Sequence, residues 1–468
     1  MPRRTLSAIA LIGAISLLGW QNTTSQGAKP EDEMMELYGT FVDAVELVEA
    51  NYVRPVDRRD LLESALKEML QHLDPHSTYI GAGDWKQFKK QMEGSFSGIG
   101  IQVGMDPEAK RLKVIAPVVG SPAYQAGILA GDVILEIDGK STEGLIPDQA
   151  VEVLQGRPGT QVKLQVLHAG EEKAETLTIT RAIIDLPSVL GDARKADDSW
   201  DFLIDHDRKI GYIRITSFIQ NTTEDIKHAL DELTRQGMKG LILDLRDNPG
   251  GLLSSAVEVS DLFVAEGRIV STKGRNTREK IYEAEQEGTY EDFPMAVLIN
   301  PHSASAAEIV SACLQDHGRA VIVGQRSFGK GSVQNILPLE NGDSVLKLTV
   351  ATYWRPSGKN IHKFPGDVDK NEWGVSPDPD LEVKLSPREY EAWATARRDR
   401  DLVSQAHRPA PKPDALPKAA RGDDAPKPRD DAAAKERIRN LPDSDRQLKK
   451  ALEVVRTKLV PAAAEARG

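Results

Sequence analysis

Ala296-Val-Leu-Ile-Asn-Pro-His-Ser-Ala-Ser-Ala-Ala-Glu308 is the stretch that sets the fold class. Its first four residues form an unbroken apolar run closed by Asn300, as in a strand buried on both faces of a parallel sheet. Pro301 and the small residues after it let the chain turn, and a helix is predicted to begin near Ser305. A serine at such a turn faces the crevice at the strand ends. The first helical N–H groups stand beside it as donors for an oxyanion. A serine that only caps a helix would read the same way, so neighbouring segments must decide.

Outward from this stretch the same alternation continues. Ile210-Gly-Tyr-Ile-Arg-Ile215 reads as a strand. Thr223 to Gln236 reads as a helix with Ile226, Ala229, Leu230 and Leu233 on one face and Gly237 as its C-cap. Gly240-Leu-Ile-Leu-Asp-Leu245 is a buried-type strand, followed by a helix from about Leu252, and Ala320-Val-Ile-Val323 is another strand. Strands and helices in turn give an α/β core with its site at the strand ends. Upstream, Phe41, Ala44, Val45 and Val48, then Leu62, Ala65, Leu66, Met69 and Leu73, predict two helices separated by Pro55. Between about 93 and 183 the texture is of short strands, including Leu112-Lys-Val-Ile-Ala116 and Val162-Lys-Leu-Gln-Val-Leu167, with a turn at Asp138-Gly139. Residues 186–205 read as a connection.

A chain of 468 residues with 40% hydrophobic content is a multidomain α/β protein with material for real cores. Its net charge of −11 argues against nucleic acid as a partner. The single cysteine, Cys313, excludes an intramolecular disulfide framework and a multi-cysteine zinc site, and its apolar surroundings predict a buried thiol. The histidines are scattered along the chain, so no metal and no cofactor is expected. Arg3, Arg4 and the uncharged run Thr5 to Trp20 read as an export signal over 1–28 or as an uncleaved N-terminal membrane anchor. Either places the rest of the chain outside the cytoplasm, in the periplasm or its equivalent. Residues 399–442, with seven prolines and few apolar side chains, predict a disordered linker. A last helix follows in 443–468, opened by Ser444-Asp-Arg-Gln447 as a capping box. It carries Leu448, Leu452, Val455 and Leu459 as an apolar stripe that must dock on this chain or on another subunit.

Three further segments carry chemistry. In Gly329-Lys-Gly-Ser-Val-Gln334 a lysine stands between two glycines after a buried strand. Desolvated there, Lys330 loses proton affinity and can act as a neutral base, with Gln334 able to hold its amine. In Leu243-Asp-Leu-Arg-Asp-Asn-Pro-Gly-Gly251 the glycines allow close approach of the backbone. The amide of Gly251 can then pair with that of Ala306 as an oxyanion hole. In Gly94-Ser-Phe-Ser-Gly-Ile-Gly-Ile101 an alternation of glycine and apolar residues exposes successive N–H groups. Around Gly98, Ile99, Gly100 and Ile101 these could hold a terminal carboxylate, with a peptide added to the strand edge.

Taken together, these motifs resemble the carboxy-terminal processing proteases, or tail-specific proteases. The likeness rests on Phe96-Ser-Gly-Ile-Gly100, Gly120-Ser-Pro-Ala123, Ala130-Gly-Asp-Val-Ile134, Asp244-Leu-Arg246 with Asn248-Pro-Gly-Gly251, Ser303-Ala-Ser-Ala306 with Glu308, and Gly329-Lys-Gly331 with Gln334. It runs from about Phe41 to Pro379 and returns at Asp445-Arg-Gln-Leu-Lys-Lys-Ala451. The resemblance implies a crotonase-like α/β protease core at 186–398, a PDZ-like β domain inserted before it at 93–185, and an N-terminal helical region at 29–92. It also implies Ser305 as nucleophile, Lys330 as general base, Gln334 as its assistant, and polypeptides with free C-termini as substrates. An oligomer or an activating partner stays open. The stretch His362 to Trp373 is longer than the family pattern, and the 400–442 linker is atypical.

Competing readings are weaker. His302 could pair with Ser305, but no G-x-S-x-G elbow is present. Ser327-Phe-Gly-Lys330 spells S-x-x-K, yet its glycines disfavour the helix on which that motif works. Gly324 to Lys330 nearly spells a P-loop but has Gly331 where a serine or threonine is needed. A non-catalytic exported PDZ scaffold is the alternative that keeps the fold and drops the chemistry.

Overall fold

The computed structural model describes residues 30–93, 95–106, 110–195, 197–364, 373–401 and 445–459. The N-terminal signal or anchor and nearly all of the expected linker lie outside these residues. The chain forms two compact units, residues 1–81 and 82–468. No helix among the described residues is long and apolar enough to cross a membrane.

In the first unit, α1 (Pro30–Asn51) and α2 (Arg58–Gln71) are the two expected helices, followed by a short strand, β1 (Thr78–Ile80). Asp57 caps α2 by accepting from the amides of Arg59 and Asp60 at 2.7 and 3.2 Å. Leu70 is buried, whereas Phe41 and Val48, predicted on a packed face of α1, are exposed. The helical period is as expected, but of that stripe only Val45 is even partly buried.

The second unit opens with α3 (Ala82–Glu93) and a small β domain. Its elements are β2 (Ser95–Gly98), β3 (Ile101–Met105), β4 (Leu112–Pro117), α4 (Pro122–Gln125), β5 (Val133–Ile137), β6 (Lys140–Ser141), α5 (Pro147–Leu154), β7 (Gln161–Leu167), β8 (Glu175–Thr180) and β9 (Ala182–Asp185). The sheet order is β3-β4-β5-β7-β8, with β6 on β5 and β2 paired to β9. Along β7 burial alternates, Val162, Leu164 and Val166 pointing inward with Leu112, Val114 and Ile134. The segment read as a plain connection contains β10 (Val189–Leu190), β11 (Ala193–Arg194), β12 (Trp200–Asp201) and β13 (Leu203–Asp205). The pieces are too short to show a period.

The α/β core then follows the predicted elements, with β16 and β17 as strands that the sequence reading did not include: β14 (Ile210–Ile215), α6 (Thr222–Arg235), β15 (Gly240–Asp244), α7 (Leu253–Asp261), β16 (Gly267–Lys273), β17 (Lys280–Ala284), β18 (Met295–Ile299), α8 (Ala306–Asp316) and β19 (Val321–Gly324). Strands β14, β15, β18 and β19 lie side by side and parallel. Every residue of β15 and β18 is buried, which is why both read as continuous apolar runs. Helices α6, α7 and α8 cover one face through Ile226, Leu230, Val259, Ile309 and Val310. A second sheet holds β20 (Ser332–Leu339) and β21 (Ser344–Trp354) as an antiparallel pair, with β16 and β17 beyond β21. Two helices close the described chain, α9 (Pro387–Asp401) and α10 (Arg446–Leu459). Residues 399–401, expected in the linker, belong to α9.

Helix α10 settles the docking left open by the sequence: it covers the other face of the parallel sheet of its own chain. Leu448, Ala451, Leu452 and Val455 pack on Ile210, Tyr212, Ile242, Ala296, Leu298 and Val323. Its cap is the carboxylate of Asp445, which accepts from the amides of Gln447 and Leu448 at 3.1 and 3.0 Å. Ser444, expected to cap, lies outside the described residues. At the helix start Arg246 is clamped between Asp244 (Nη2 to Oδ2, 2.6 Å) and Asp445 (Nη1 to Oδ1, 3.0 Å), with the Trp393 ring 4.4 Å from the guanidinium carbon. All three charged groups are buried, so removing one partner strands the others. Leu448→Ala should therefore lower stability by about 2–5 kcal/mol in urea unfolding. Asp445→Ala should cost about 3 kcal/mol or more by leaving Arg246 underpaired. Wild-type unfolding midpoints for both variants would show that α10 does not complete the core.

Candidate active site

Strand β18 delivers the chain to Asn300, and the turn after it is held at every step. Ser303 Oγ accepts from the Asn300 amide at 2.9 Å and donates to the Leu245 carbonyl at 2.7 Å. Asn300 and Asp247, at the ends of neighbouring strands, pair reciprocally: the Asp247 amide donates to Asn300 Oδ1 at 3.0 Å, and Asn300 Nδ2 donates to Asp247 Oδ1 at 2.7 Å. Tyr390 of α9 donates from its hydroxyl to Asp247 at 3.1 Å and sets its ring 5.5 Å from that of His302. The turn ends at Ser305, whose φ of 55° and ψ of −113° place a non-glycine residue in strained backbone at the start of α8.

Glu308 holds that conformation. Its Oε2 accepts from the Ser305 amide at 2.8 Å and from the Lys330 amide at 2.8 Å. Its Oε1 accepts from Ser327 Oγ at 2.6 Å and from the Gly329 amide at 2.6 Å. The nitrogens of Ser305 and Lys330 therefore bind one oxygen and cannot be farther apart than twice 2.8 Å. The structure brings together the two residues that the sequence singled out. Glu308 is fully buried, which pushes its carboxyl up to about 7 against the downward pull of the four hydrogen bonds.

Lys330 is partly buried. Desolvation lowers its proton affinity first, the charge of Lys347 lowers it further, and Glu308 opposes both. Gln334 lies on β20, where Nε2 donates to Ser332 Oγ at 2.8 Å and to Thr349 Oγ1 at 3.1 Å. Opposite the serine, Gly250 has φ +98° and a side chain there would meet Ser305 Cβ at 2.7 Å, so only glycine allows this approach. The Gly250 amide donates to Asn248 Oδ1 at 2.8 Å and the Leu252 amide to the Phe218 carbonyl at 2.8 Å. Between them the Gly251 amide meets no acceptor among the described residues, and Ala306 is the first residue of α8. The arrangement can activate a hydroxyl, receive its proton and stabilise a developing oxyanion.

The four residues expected at a peptide tail lie together where β2 passes into β3. Gly98 pairs with Ala182. The Gly100 carbonyl accepts from the Val118 amide at 2.9 Å and Ser121 Oγ at 3.0 Å. Ile101 is half-buried and starts β3, and Ile99, at 1% exposure, is part of the β-domain core. Cys313 is buried as expected, its thiol pushed up to about 12 by burial. Sequence reasoning noted Glu308 only as part of a motif and missed its bridging role. A glutamate at the third helical position, behind a serine, signals a capping box, but nothing local shows that a distant loop shares it.

Comparison with known proteins defines the class. Peptidase family S41 matches residues 209–380, a PDZ domain matches 113–167, and the N-terminal domain of the activating protease CtpB matches 15–83. The protein is a serine peptidase with a PDZ domain ahead of a crotonase-like α/β core. It is 37% identical over 402 residues to the carboxy-terminal-processing protease of Bartonella bacilliformis, spanning 85% of this chain and 84% of that one. It is also 36% identical to the carboxy-terminal processing protease CtpA of Bacillus subtilis, over 76% and 72% of the two chains. The solved photosystem II D1 C-terminal processing protease shares 30% identity over 74% of this chain and 92% of its own, at a TM-score of 0.42. The chain belongs to the carboxy-terminal-processing proteases.

Glu308→Gln tests the bridge. Each carboxylate oxygen accepts two donors, so either amide orientation turns an NH2 group toward two other donors. Stability should fall by about 2 kcal/mol in urea unfolding. Peptidase kcat/KM should fall about tenfold or more as Ser305 and Lys330 lose their common anchor. A variant with wild-type stability and rate would remove Glu308 from this role.

Proposed function

We propose that this chain is an exported endopeptidase that cleaves polypeptides near free C-termini with a Ser305–Lys330 dyad, its PDZ domain holding the substrate tail. The observation that carries the reading is the single Glu308 oxygen shared by the Ser305 and Lys330 amides. Neutral Lys330 takes the Ser305 proton as Oγ attacks the scissile carbonyl, and the amides of Gly251 and Ala306 stabilise the oxyanion. The proton passes to the leaving amine as the peptide bond breaks, and water then hydrolyses the acyl-enzyme. Export rests on Arg3, Arg4 and the apolar run Thr5 to Trp20, as a cleaved signal or as an anchor.

Ser305→Ala and Lys330→Ala should each abolish turnover in folded protein. Lys330→Arg should fail equally, because a guanidinium keeps its proton. The kcat/KM profile should rise with pH as Lys330 deprotonates. It should level off below the value of about 10.4 for free lysine, since burial favours the neutral amine. His302→Asn should leave that limb in place; its loss would move the base to histidine.

Amidating the C-terminus of a peptide substrate removes its charge and weakens charge-assisted hydrogen bonds to backbone amides. Cleavage should fall at least ~10-fold, equivalent to about 1.4 kcal/mol. Equal cleavage of acid and amide would refute tail selection.

A further inference from the structure

One face of the β20–β21 hairpin that follows the lysine is built from Ser332, Gln334, Lys347 and Thr349. In the register Gln334 lies across from Thr349, and Ile336 from Lys347. Lys347 and Thr349 are two residues apart on β21, so their side chains leave the same face. The Lys347 ammonium lies 5.7 Å from the Phe88 ring of α3. Both hydrogens of Gln334 Nε2 are committed, one to Ser332 Oγ at 2.8 Å and one to Thr349 Oγ1 at 3.1 Å. What Gln334 has left to offer an amine is its carbonyl oxygen.

We infer that Thr349 and Lys347 are positioning residues of the general base, Thr349 by fixing the direction of the Gln334 amide and Lys347 by placing a second cation behind Lys330. The inference rests on the reading of Lys330 as base. A neutral amine has two hydrogens and one lone pair. If the Gln334 carbonyl accepts one hydrogen, the lone pair is turned away from Gln334 and remains free to take a proton from Ser305. A reversed amide would donate to that lone pair and block it. Lys347 acts on the charge state: a like charge near an ammonium disfavours the protonated form.

The other charged and titratable groups around the lysine loop do not duplicate Lys347. Glu308, on α8, favours the protonated amine. The Lys363 amide donates to the Gly329 carbonyl at 2.9 Å, but its ammonium stacks over Trp373 at 4.4 Å. Arg326 lies over the same ring at 4.8 Å. The His362 backbone packs against Gly331, and Tyr353 donates its amide to the Gly331 carbonyl at 2.7 Å.

The test is kcat and KM for a free-acid peptide as a function of pH, in wild type and four full-length variants. In Lys347→Gln the rising limb should move to higher pH by about half a unit or more. Lys347→Arg, which keeps the cation, should leave it in place. Thr349→Val should lower kcat about tenfold with KM within about twofold, because orientation of the base is lost while substrate binding is not. Thr349→Ser should recover most of the loss. An unmoved limb in Lys347→Gln, or wild-type kcat in Thr349→Val, overturns the inference. Activity in Lys330→Ala overturns the underlying reading instead, so the two failures are distinguishable.

Discussion

A single buried carboxylate organises this protein's reacting centre. Glu308 lies in the first turn of the helix that Ser305 opens, and it binds backbone amides from that turn and from the lysine loop. A local cap and a long-range staple are thus the same group. The arrangement fixes the backbone at Ser305 and at Lys330 without using either side chain. Burial resists the charge, and four donors make it tolerable. The strained backbone of Ser305 is held from both ends: the glutamate takes its amide, and the Asp247–Asn300 pair anchors the strand before it.

Most of the fold was legible because the core strands are buried on both faces. Ile210–Ile215, Gly240–Asp244 and Ala296–Ile299 cannot be amphipathic, and their apolar runs separated by helical periods point to a parallel sheet. Period failed where elements were short, as in β10 to β13. It was also uninformative about docking. The stripe on α10 demanded a partner surface, but the apolar face that it covers belongs to β14, β15, β18 and β19, which have the same composition on both faces. The stripe on α1 has the same sequence signature and remains exposed. A helical period reports a face, and only the tertiary structure reports what lies against it.

The site divides in the same way. Lys330 and Gly251 stand out because each breaks a local rule, a charge between glycines and a glycine pair after a buried strand, and Ser305 stands out only in their company. Glu308, Asn300 and Asp247 break none, since acid at a helix start and amide at a strand end are ordinary. Their roles come from partners far off in sequence, which no window of a dozen residues contains. Ile99 shows the converse. Its glycine neighbours mark an exposed backbone, yet its side chain is spent on the β-domain core.

The clamp on Arg246 has a consequence for the order in which the molecule is assembled. Gln447, which accepts from Arg246, lies 201 residues beyond it in the chain. Synthesis from the N-terminus therefore produces the parallel sheet and Asp244 before the Asp445 and α10 that complete the clamp. Arg246 stands two residues before Asn248, whose side chain holds the Gly250 amide beside the serine. The C-terminal helix is thus tied to the same turn of chain that runs beside the serine.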